Sequence, residues 1–263
     1  MPRDRPKRIH ASDRLEKSSG RGREKLEHEA TVLRPNGPTI RKKSAPSKLP
    51  SPADVAAQQT AGRAWFETEF PVSRETMARL DIYVRLLTEW QTRINLVAPS
   101  TLGDVWRRHI ADAMSVEQDL PVFEQAIDLG SGAGFPALVI AACRPESAVD
   151  MVESTNKKAA FLAAAQREMG VRGRVHVKRI ESAGEFLARA DIVTARALAP
   201  LNDLLAMVAP HVSRETRCFF PKGRSHEQEI ADAAANWRFT MVIHVSKVET
   251  DSVLLEVADI TAR

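Results

Sequence analysis

Cysteine is scarce in this chain of 263 residues, and long apolar runs are missing. Its two cysteines, Cys143 and Cys218, fall far apart in segments predicted as helix and strand, so we expect buried free thiols in a reducing cytoplasm. No apolar run approaches the roughly 20 residues of a membrane span, and the N-terminus lacks the hydrophobic stretch of a secretory signal. Membrane and secreted proteins are therefore not expected classes.

Three kinds of functional signature are also missing. The two cysteines and seven histidines show no metal-ligand spacing, so no metal site is expected. No Ser/His/Asp or paired-carboxylate pattern stands out. The glycine-rich stretch of the chain is not followed by Lys-Ser or Lys-Thr, which excludes a phosphate-binding P-loop.

Positive charge is concentrated at the N-terminus. Residues 1–50 carry a net charge of +8 (14 Lys and Arg against 6 Asp and Glu), whereas residues 51–263 carry −4 (24 against 28). Because this segment also contains Pro, Ser and Gly throughout and shows almost no apolar periodicity, we predict a basic, disordered tail over residues 1–60. The tail is an arm that contacts RNA, a passive extension, or the result of a start codon placed too far upstream.

A helical region is predicted over residues 61–122. Ser73 is a suitable N-cap for a helix that ends near Asn95. A second helix, at about residues 101–118, carries the basic triplet Arg107-Arg108-His109, which either faces RNA or forms a solvated helix face. The apolar face of the first helix consists of Met77, Leu80, Val84 and Leu87.

Residues 123–263 alternate strand-like and helix-like segments, which predicts a mainly parallel sheet with helices on both faces. An antiparallel pair at 241–245 and 253–257 closes the sheet. Ligands of such sheets bind at the carboxyl ends of the strands. The predicted fold class is therefore α/β, a Rossmann-like sheet with an N-terminal helical extension. The residues predicted at strand ends are Asp128, Glu153, Ile180, Glu181, Arg196 and Lys222.

The most informative segment, residues 126–136, reads Ala-Ile-Asp-Leu-Gly-Ser-Gly-Ala-Gly-Phe-Pro. An apolar strand ends in three alternating glycines, Gly130, Gly132 and Gly134, and a helix then begins. Glycine permits positive φ angles and lets a ligand approach the backbone closely. The free N–H groups and dipole of the new helix point at that ligand. This pattern predicts a nucleoside-containing cofactor.

Two cofactors fit the pattern. Gly132-Ala-Gly-Phe-Pro-Ala137 matches the dinucleotide fingerprint and favours NAD. The fuller pattern Asp128-x-Gly130-x-Gly132-x-Gly134 resembles the first motif of S-adenosylmethionine-dependent methyltransferases. Glu153 lies 25 residues after Asp128, at the end of the second predicted strand. An acid at that place accepts hydrogen bonds from ribose hydroxyls, which either cofactor has.

Further blocks make one resemblance specific. In chain order they are Trp90-Gln-x-x-Ile94-Asn95-Leu96, Arg108-His109-Ile-x-Asp112-Ala, Glu153-Ser-x-x-Lys157-Lys158-x-x-Phe161-Leu162, Arg179-Ile-Glu181, Ala195-Arg196-Ala197 and Lys222-Gly223. Together with the glycine motif they resemble the RsmG family (formerly glucose-inhibited division protein B) over about residues 70–258. One departure is Ala137, where the family usually has glycine.

The resemblance implies a cytoplasmic bacterial enzyme that methylates N7 of guanine(527) in 16S rRNA with S-adenosylmethionine. Its partner would be 16S rRNA or the small ribosomal subunit, and we expect a monomer. The cofactor residues that the resemblance or the patterns suggest are Gly130, Gly132, Gly134, Phe135, Glu153, Ile180, Glu181 and Arg196. The candidate RNA contacts are Asn95, Arg108, His109, Arg196 and Lys222. Arg108, Arg196 and Lys222 could instead be structural ion-pair partners.

The residue types agree with this chemistry. Guanine N7 carries a lone pair and no proton, so attack on a sulfonium methyl group needs no general base. Positioning, worth up to ~7–11 kcal/mol in favourable cases, can supply most of the catalysis. No catalytic side chain is therefore predicted. Two alternatives remain open: an NAD-dependent oxidoreductase, for which no hydride-transfer group is identifiable, and a non-catalytic RNA-binding protein on a methyltransferase scaffold.

Overall fold

The computed structural model of the protein describes residues 9–10, 51–249 and 251–263. The prediction of a disordered tail falls mostly outside the described residues. Within that tail, Ile9–His10 form a two-residue strand, β1, which pairs antiparallel with residues 240–241 at the edge of the sheet.

Helix α1 (Pro52–Glu69) begins inside the segment predicted as a tail, so the predicted boundary at residue 60 falls within a helix. Ser51 caps this helix by accepting a hydrogen bond from Asp54 N (3.2 Å), and the Asp54 carboxylate accepts one from Ser51 N (3.0 Å). The capping residues are visible in the sequence. Only Val55, Gly62 and Phe66 of α1 are buried, which explains its weak apolar periodicity.

The remaining helical region differs in part from the prediction. Helix α2 (Arg74–Gln91) begins after Ser73, which caps it as expected. The second predicted helix is not continuous. A 3₁₀ turn at Pro99–Thr101 is followed by a π-helical segment at Trp106–Ile110, which runs into helix α3 (Ala111–Asp119). The basic triplet therefore lies in π-helical backbone, which is rare and often found at functional sites.

The other elements alternate strands and helices. They are β2 (Gln125–Leu129), α4 (Ala137–Cys143), β3 (Ala148–Val152), α5 (Asn156–Met169), β4 (Val175–His176), a 3₁₀ turn (Ile180–Ser182), α6 (Gly184–Leu187), β5 (Ile192–Thr194), α7 (Leu201–Val208), β6 (Arg217–Lys222), α8 (His226–Asn236), β7 (Trp237–Val245) and β8 (Val253–Ala262).

All described strands form one sheet in the order β1-β7-β8-β6-β5-β2-β3-β4. The neighbours from β6 to β4 run parallel, and β8 pairs antiparallel with both β6 and β7. The predicted Rossmann-like α/β fold, including its closing antiparallel pair, is confirmed.

Helices cover both faces of the sheet. Ala126 and Met151 belong to a core shared with α2, α3, α4 and α5, whereas Ile127 and Val193 face a second core shared with α6, α7 and α8. Tyr83 of the helical region is part of the first core. Packing therefore does not separate residues 61–122 from residues 123–263, and their division into domains stays a prediction.

Candidate active site

The candidate site lies where the strand order of the sheet reverses. From β2 the chain continues outward through β3 and β4, and it then returns to β5 on the other side of β2. Ligands of open α/β sheets bind outside the carboxyl ends of the strands at such a point. The three glycines follow β2, and Glu153, Ile180 and Arg196 come after β3, β4 and β5. The sheet thus brings the predicted cofactor residues to one edge.

The glycine turn has a backbone that disfavours side chains. Gly130, Gly132 and Gly134 have φ angles of +67°, +57° and +94°, in the left-handed region. A Cβ atom on Gly130 would lie 2.8 Å from Leu198 Cδ1, and one on Gly134 would lie 2.5 Å from Leu138 Cδ1. The backbone conformation favours glycine at all three positions, and close side-chain contacts add to this at Gly130 and Gly134.

Glu153 connects the end of β3 to this turn. Its side chain is buried, its Oε2 accepts a hydrogen bond from Gly132 N (3.0 Å), and its Oε1 accepts one from Thr155 N (2.7 Å). A carboxylate offers about four lone-pair sites, so both oxygens keep acceptor capacity. The geometry is compatible with the predicted ribose contact and adds a role in fixing the turn.

Asp128 is an important residue that the sequence-based site did not include. It is buried, and its Oδ1 accepts a hydrogen bond from Thr194 Oγ1 (2.5 Å). Its Oδ2 has no hydrogen-bond partner among the described residues. Burial raises the pKa of Asp128 to about 7, against the opposing effects of Thr194, Ser131 and Arg196. The sequence signal was present, since Asp128 is the first residue of the glycine motif.

The two terminal nitrogens of Arg196 differ, because Nη2 has a hydrogen-bond partner among the described residues and Nη1 has none. Its Nη2 donates a hydrogen bond to His109 Nδ1 (3.2 Å), and its guanidinium lies 5.7 Å from the centre of the Phe135 ring. Its Nη1 lies 3.3 Å from Asp112 Oδ2, an ion pair without hydrogen-bond geometry, so this buried nitrogen has no hydrogen-bond partner among the described residues. Ala197, the next residue, has a φ angle of +51°, which is strained for a non-glycine residue.

His109 is neutral, and its ring contacts Thr101, Arg196 and Phe135. Thr101 Oγ1 donates to Ala98 O (2.9 Å), so it accepts from His109 Nε2 (3.0 Å), which leaves Nδ1 to accept from Arg196. The ring stacks on Phe135 with centroids 5.1 Å apart. Burial lowers the pKa of His109 to about 4, and the charges of Arg196 and Arg108 act in the same direction.

Helix α2 contributes Tyr83, which sequence reasoning did not single out. The Tyr83 hydroxyl donates a hydrogen bond to Ala133 O in the glycine turn (2.7 Å). Its ring packs against Phe135 and Phe161 at centroid distances of 5.2 and 6.4 Å. Only its apolar helical position was visible in the sequence, because the hydrogen bond joins residues 50 positions apart.

A cleft of about 440 Å³ opens beside the loop after β5. Helix α3 contributes Asp112 and Asp119 to its lining, and the end of β7 contributes His244. Leu198 also lines the cleft, and this same side chain meets the space next to Gly130. Leu198 therefore adjoins both the cleft and the glycine turn.

Comparison with known proteins identifies the family. The sequence model described as "GidB: rRNA small subunit methyltransferase G" matches residues 76–254, more than half of the chain. The chain belongs to this family. It is 47% identical over 198 residues to ribosomal RNA small subunit methyltransferase G of Rhizobium meliloti (strain 1021), covering 73% of this chain and 93% of that protein. The protein of the same name from Methylobacterium nodulans is 42% identical over 196 residues, covering 73% and 92%.

Membership of the methyltransferase G family confirms the resemblance, the enzyme class and S-adenosylmethionine as the cofactor. It also removes the NAD-dependent oxidoreductase from consideration. Solved structures are more distant. MtNAS in complex with MTA and tNA is 14% identical with a TM-score of 0.49, covering 68% of this chain and 70% of that one. An rRNA methylase from Streptococcus thermophilus is 10% identical with a TM-score of 0.41, covering 56% and 92%.

Lys222 differs in environment from Arg196, although both were predicted to bind RNA. Its side chain is only 8% exposed, and its Nζ donates to Ala199 O (2.7 Å) and pairs with Glu229 Oε2 (2.8 Å). Glu229 also accepts a hydrogen bond from Leu201 N (2.9 Å). A phosphate could reach the ammonium only by replacing these partners, so the geometry favours the ion-pair alternative.

The remaining predicted residues lie near the surface. Asn95 is exposed in the loop after α2, and Arg108 is exposed on the π-helical segment, where it has no ion-pair partner among the described residues. Ile180 is half-buried against the second core, and Glu181 is exposed in the same 3₁₀ turn. Ile180 and Glu181 thus follow β4 at the same edge of the sheet as the glycine turn, and their predicted roles, like those of Asn95 and Arg108, stay predictions.

The described residues form neither a metal-binding cluster nor a membrane-spanning helix. Over 51–249 and 251–263, no three His, Cys, Asp or Glu side chains come together as a metal site would need. No helix in the described part of the chain is long and apolar enough to cross a membrane.

Proposed function

We propose that the protein transfers a methyl group from S-adenosylmethionine to N7 of guanine(527) of 16S rRNA, in the cytoplasm and as a monomer. The observation that carries the proposal is the position of Leu198, which abuts the glycine turn and lines the cleft. A cofactor on the turn and a base in the cleft would be neighbours, with Arg196 beside both. The names of the relatives support small-subunit rRNA as the source of the base.

The residues at the glycine turn fit S-adenosylmethionine. Glu153 keeps acceptor capacity for ribose hydroxyls, Asp128 keeps a buried oxygen without a hydrogen-bond partner, and Arg196 keeps an N–H for an oxygen acceptor. The cofactor has hydroxyls, an ammonium and a carboxylate, so each of these groups has a counterpart of suitable polarity. When bound, it supplies an electrophilic methyl group on a positively charged sulfur.

The chain's own contribution is positioning, because N7 of guanine has no proton to remove. Orientation of the reacting atoms can be worth up to ~7–11 kcal/mol. Positive charge moves from sulfur to the purine during transfer. Helix α3 presents Asp112 and Asp119 to the cleft, where fixed carboxylates would stabilise that charge.

RNA must deliver the base in an unstacked conformation. Sequence-specific RNA binding mostly uses loops or flipped bases, held by stacking and edge hydrogen bonds. Arg108 and Asn95 are exposed on the helical region and can bind phosphates or neighbouring nucleotides. His109 contributes indirectly, since both of its ring nitrogens already have partners.

The proposal is tested by incubating the protein with labelled S-adenosylmethionine and either 30S subunits or naked 16S rRNA. We expect label at N7 of guanine(527) and none in RNA that already carries this methyl group. Cofactor binding is measured separately by calorimetry. A protein that binds both S-adenosylmethionine and RNA but transfers no label is a non-catalytic RNA-binding protein, and label at another atom refutes the assigned position.

Gly130→Val gives a sharper test of the cofactor site, with Gly170→Val as its matched control. Both glycines have positive φ angles, +67° and +64°, so both variants bear a similar backbone cost of about 1–2 kcal/mol. A side chain at Gly130 meets Leu198, whereas Gly170 has open space around it. Calorimetry should show loss of S-adenosylmethionine binding for Gly130→Val alone. Equal affinities in the two variants would remove the glycine turn from the cofactor site.

A further inference from the structure

The guanidinium of Arg196 has one buried N–H group that the protein leaves without an acceptor. Nη1 is inaccessible to solvent and makes no hydrogen bond with any described residue, although it lies 3.3 Å from a carboxylate oxygen of Asp112. A buried donor without an acceptor costs about 1–3 kcal/mol. Such a group, on a residue that lines the cleft, is placed for an acceptor that arrives with a ligand.

Two polar side chains set the direction of that guanidinium, and they act differently. Asp112 supplies charge, whereas His109 Nδ1 supplies the hydrogen bond, at 3.2 Å from Nη2. His109 is itself fixed at its other nitrogen by Thr101 and along its face by Phe135. The direction of Nη2, and with it the direction of Nη1, is therefore set by the imidazole ring.

We propose that His109 is a positioning residue, whose neutral ring aims Arg196 so that Nη1 donates to an oxygen atom of a ligand in the active site. The inference rests on the proposed function. The oxygen is the carboxylate of the cofactor or O6 of the target guanine, since both are acceptors and N7 itself must keep its lone pair free. His109 does not touch the reacting atoms and acts through Arg196.

Two variants of similar size separate positioning from packing. In His109→Asn the side-chain amide oxygen can take the place of Nδ1 and accept from Arg196, while the contact with Thr101 is lost. In His109→Gln the amide can reach the place of Nε2 and keep Thr101, while the acceptor for Arg196 is lost. Both variants lose the ring that stacks on Phe135, so that loss is common to them.

We expect His109→Gln to lower methyl transfer at least tenfold and His109→Asn to stay within about threefold of the wild-type protein. Melting temperatures of the two variants should agree within a few degrees. If His109 acts through Arg196, adding His109→Gln to Arg196→Ala should cause no further loss, because the two effects are coupled. Equal losses in both single variants, or an additive double variant, would overturn the positioning role.

The ligand that supplies the oxygen is identified by separating the two substrates. A weaker calorimetric affinity for S-adenosylmethionine in His109→Gln assigns the acceptor to the cofactor. Unchanged cofactor affinity with a higher KM for 30S subunits, or a lower kcat, assigns it to the guanine. If the wild-type protein binds S-adenosylmethionine but methylates no RNA, the proposed function fails, and the calorimetric affinities of the two variants alone decide the positioning role.

Discussion

Two loops at the same edge of the sheet each carry one cation, and the two cations have different partners. The loop after β5 presents Arg196, which keeps a buried N–H without an acceptor. Lys222, the last residue of β6, stands before the next turn, and its ammonium is bound to Ala199 O and Glu229. Both cations line the cleft. The difference shows that a strand end brings a cation to the site, while its neighbours decide whether it remains available to a ligand.

The backbones of the two loops differ as well, because a left-handed non-glycine residue occurs after β5 and none occurs in the turn after β6. Ala197 holds a left-handed φ angle of +51°, at a cost of about 1–2 kcal/mol for a residue with a side chain. The β6 turn places Gly223 beside Lys222 and has no residue with a positive φ angle. Strain of this kind persists where the surroundings enforce it, often at functional sites. A left-handed residue thus distinguishes the loop after β5 from the turn after β6.

The largest expected effect concerns Arg196→Ala. Removing the guanidinium removes the unpartnered donor, so we expect methyl transfer to fall at least tenfold, equivalent to about 1.4 kcal/mol of barrier. The melting temperature should stay within a few degrees of the wild-type value, because the loss of the ion pair with Asp112 is offset by removal of the buried nitrogen that has no hydrogen-bond acceptor. Initial rates with saturating cofactor and thermal unfolding check both statements.

Lys222→Met is the matched control, and its expected pattern is the reverse. Glu229, only 19% exposed, loses its ion pair, which costs roughly 1–3 kcal/mol and lowers the melting temperature by several degrees. The rate of methyl transfer should stay within about threefold. A stable Lys222→Met variant with little activity would show that Lys222 binds RNA and would break the contrast between the two loops.

A smaller effect is expected on the pH dependence of stability, which tests the raised pKa of the buried Asp128 carboxyl group. Its pKa is raised to about 7 in the folded protein, from an ordinary value near 4, chiefly by burial. The stabilising contribution of the protonated form is complete below pH 4 and is lost as the pH rises towards 7. Asp128→Asn keeps an oxygen acceptor for Thr194 and does not titrate.

The melting temperature of the wild-type protein should therefore fall more between pH 5 and pH 8 than that of Asp128→Asn, by several degrees. The depressed pKa of His109 acts oppositely, stabilising the fold as the pH rises from 4 to 6.5, but it is common to both proteins and cancels in the comparison. Parallel pH profiles for the two proteins would show that Asp128 is ionised throughout this range.

The smallest expected effect concerns the basic segment of residues 1–50, a third place where cations could meet RNA. Its net charge of +8 acts through phosphates, and each phosphate neutralised adds about −0.9 (duplex) or −0.7 (single strand) to the slope of log affinity against log salt. Deleting residues 1–50 should flatten that slope and leave affinity at high salt nearly unchanged. The deletion also removes β1, which adds only two residue pairs to the sheet edge. An unchanged slope would confine RNA binding to the remaining chain.

The fold was largely predictable because its signals are local. The alternation of apolar strands with helices, the glycines after β2 and the cap at Ser73 each depend on neighbours within a few residues. Helix α1 was missed because few of its residues are buried, and the interruption of the second helix by π-helical backbone leaves no pattern in the residue types.

The positions of the candidate residues in the fold were more predictable than their contacts. Arg196, Glu153 and the glycines were placed correctly at the edge of the sheet, since strand ends can be read from the sequence. Asp128 was visible as part of a motif, but its unpartnered oxygen was not. The hydrogen bond from Tyr83 to Ala133 and the ion pair of Lys222 with Glu229 join residues whose proximity no local pattern reports.

The family, the Rossmann-like sheet and the kind of cofactor could be predicted from residue order alone, because they depend on short-range patterns of glycine, charge and apolar residues. Which cations stay available depends on contacts between residues that are distant in the chain. Arg196 meets the neutral ring of His109 and keeps a donor, whereas Lys222 meets the carboxylate of Glu229 and is neutralised. The physical reason is that hydrogen-bond satisfaction and burial depend on atoms brought together by folding, and these set both the pKa of a group and its freedom to bind a ligand.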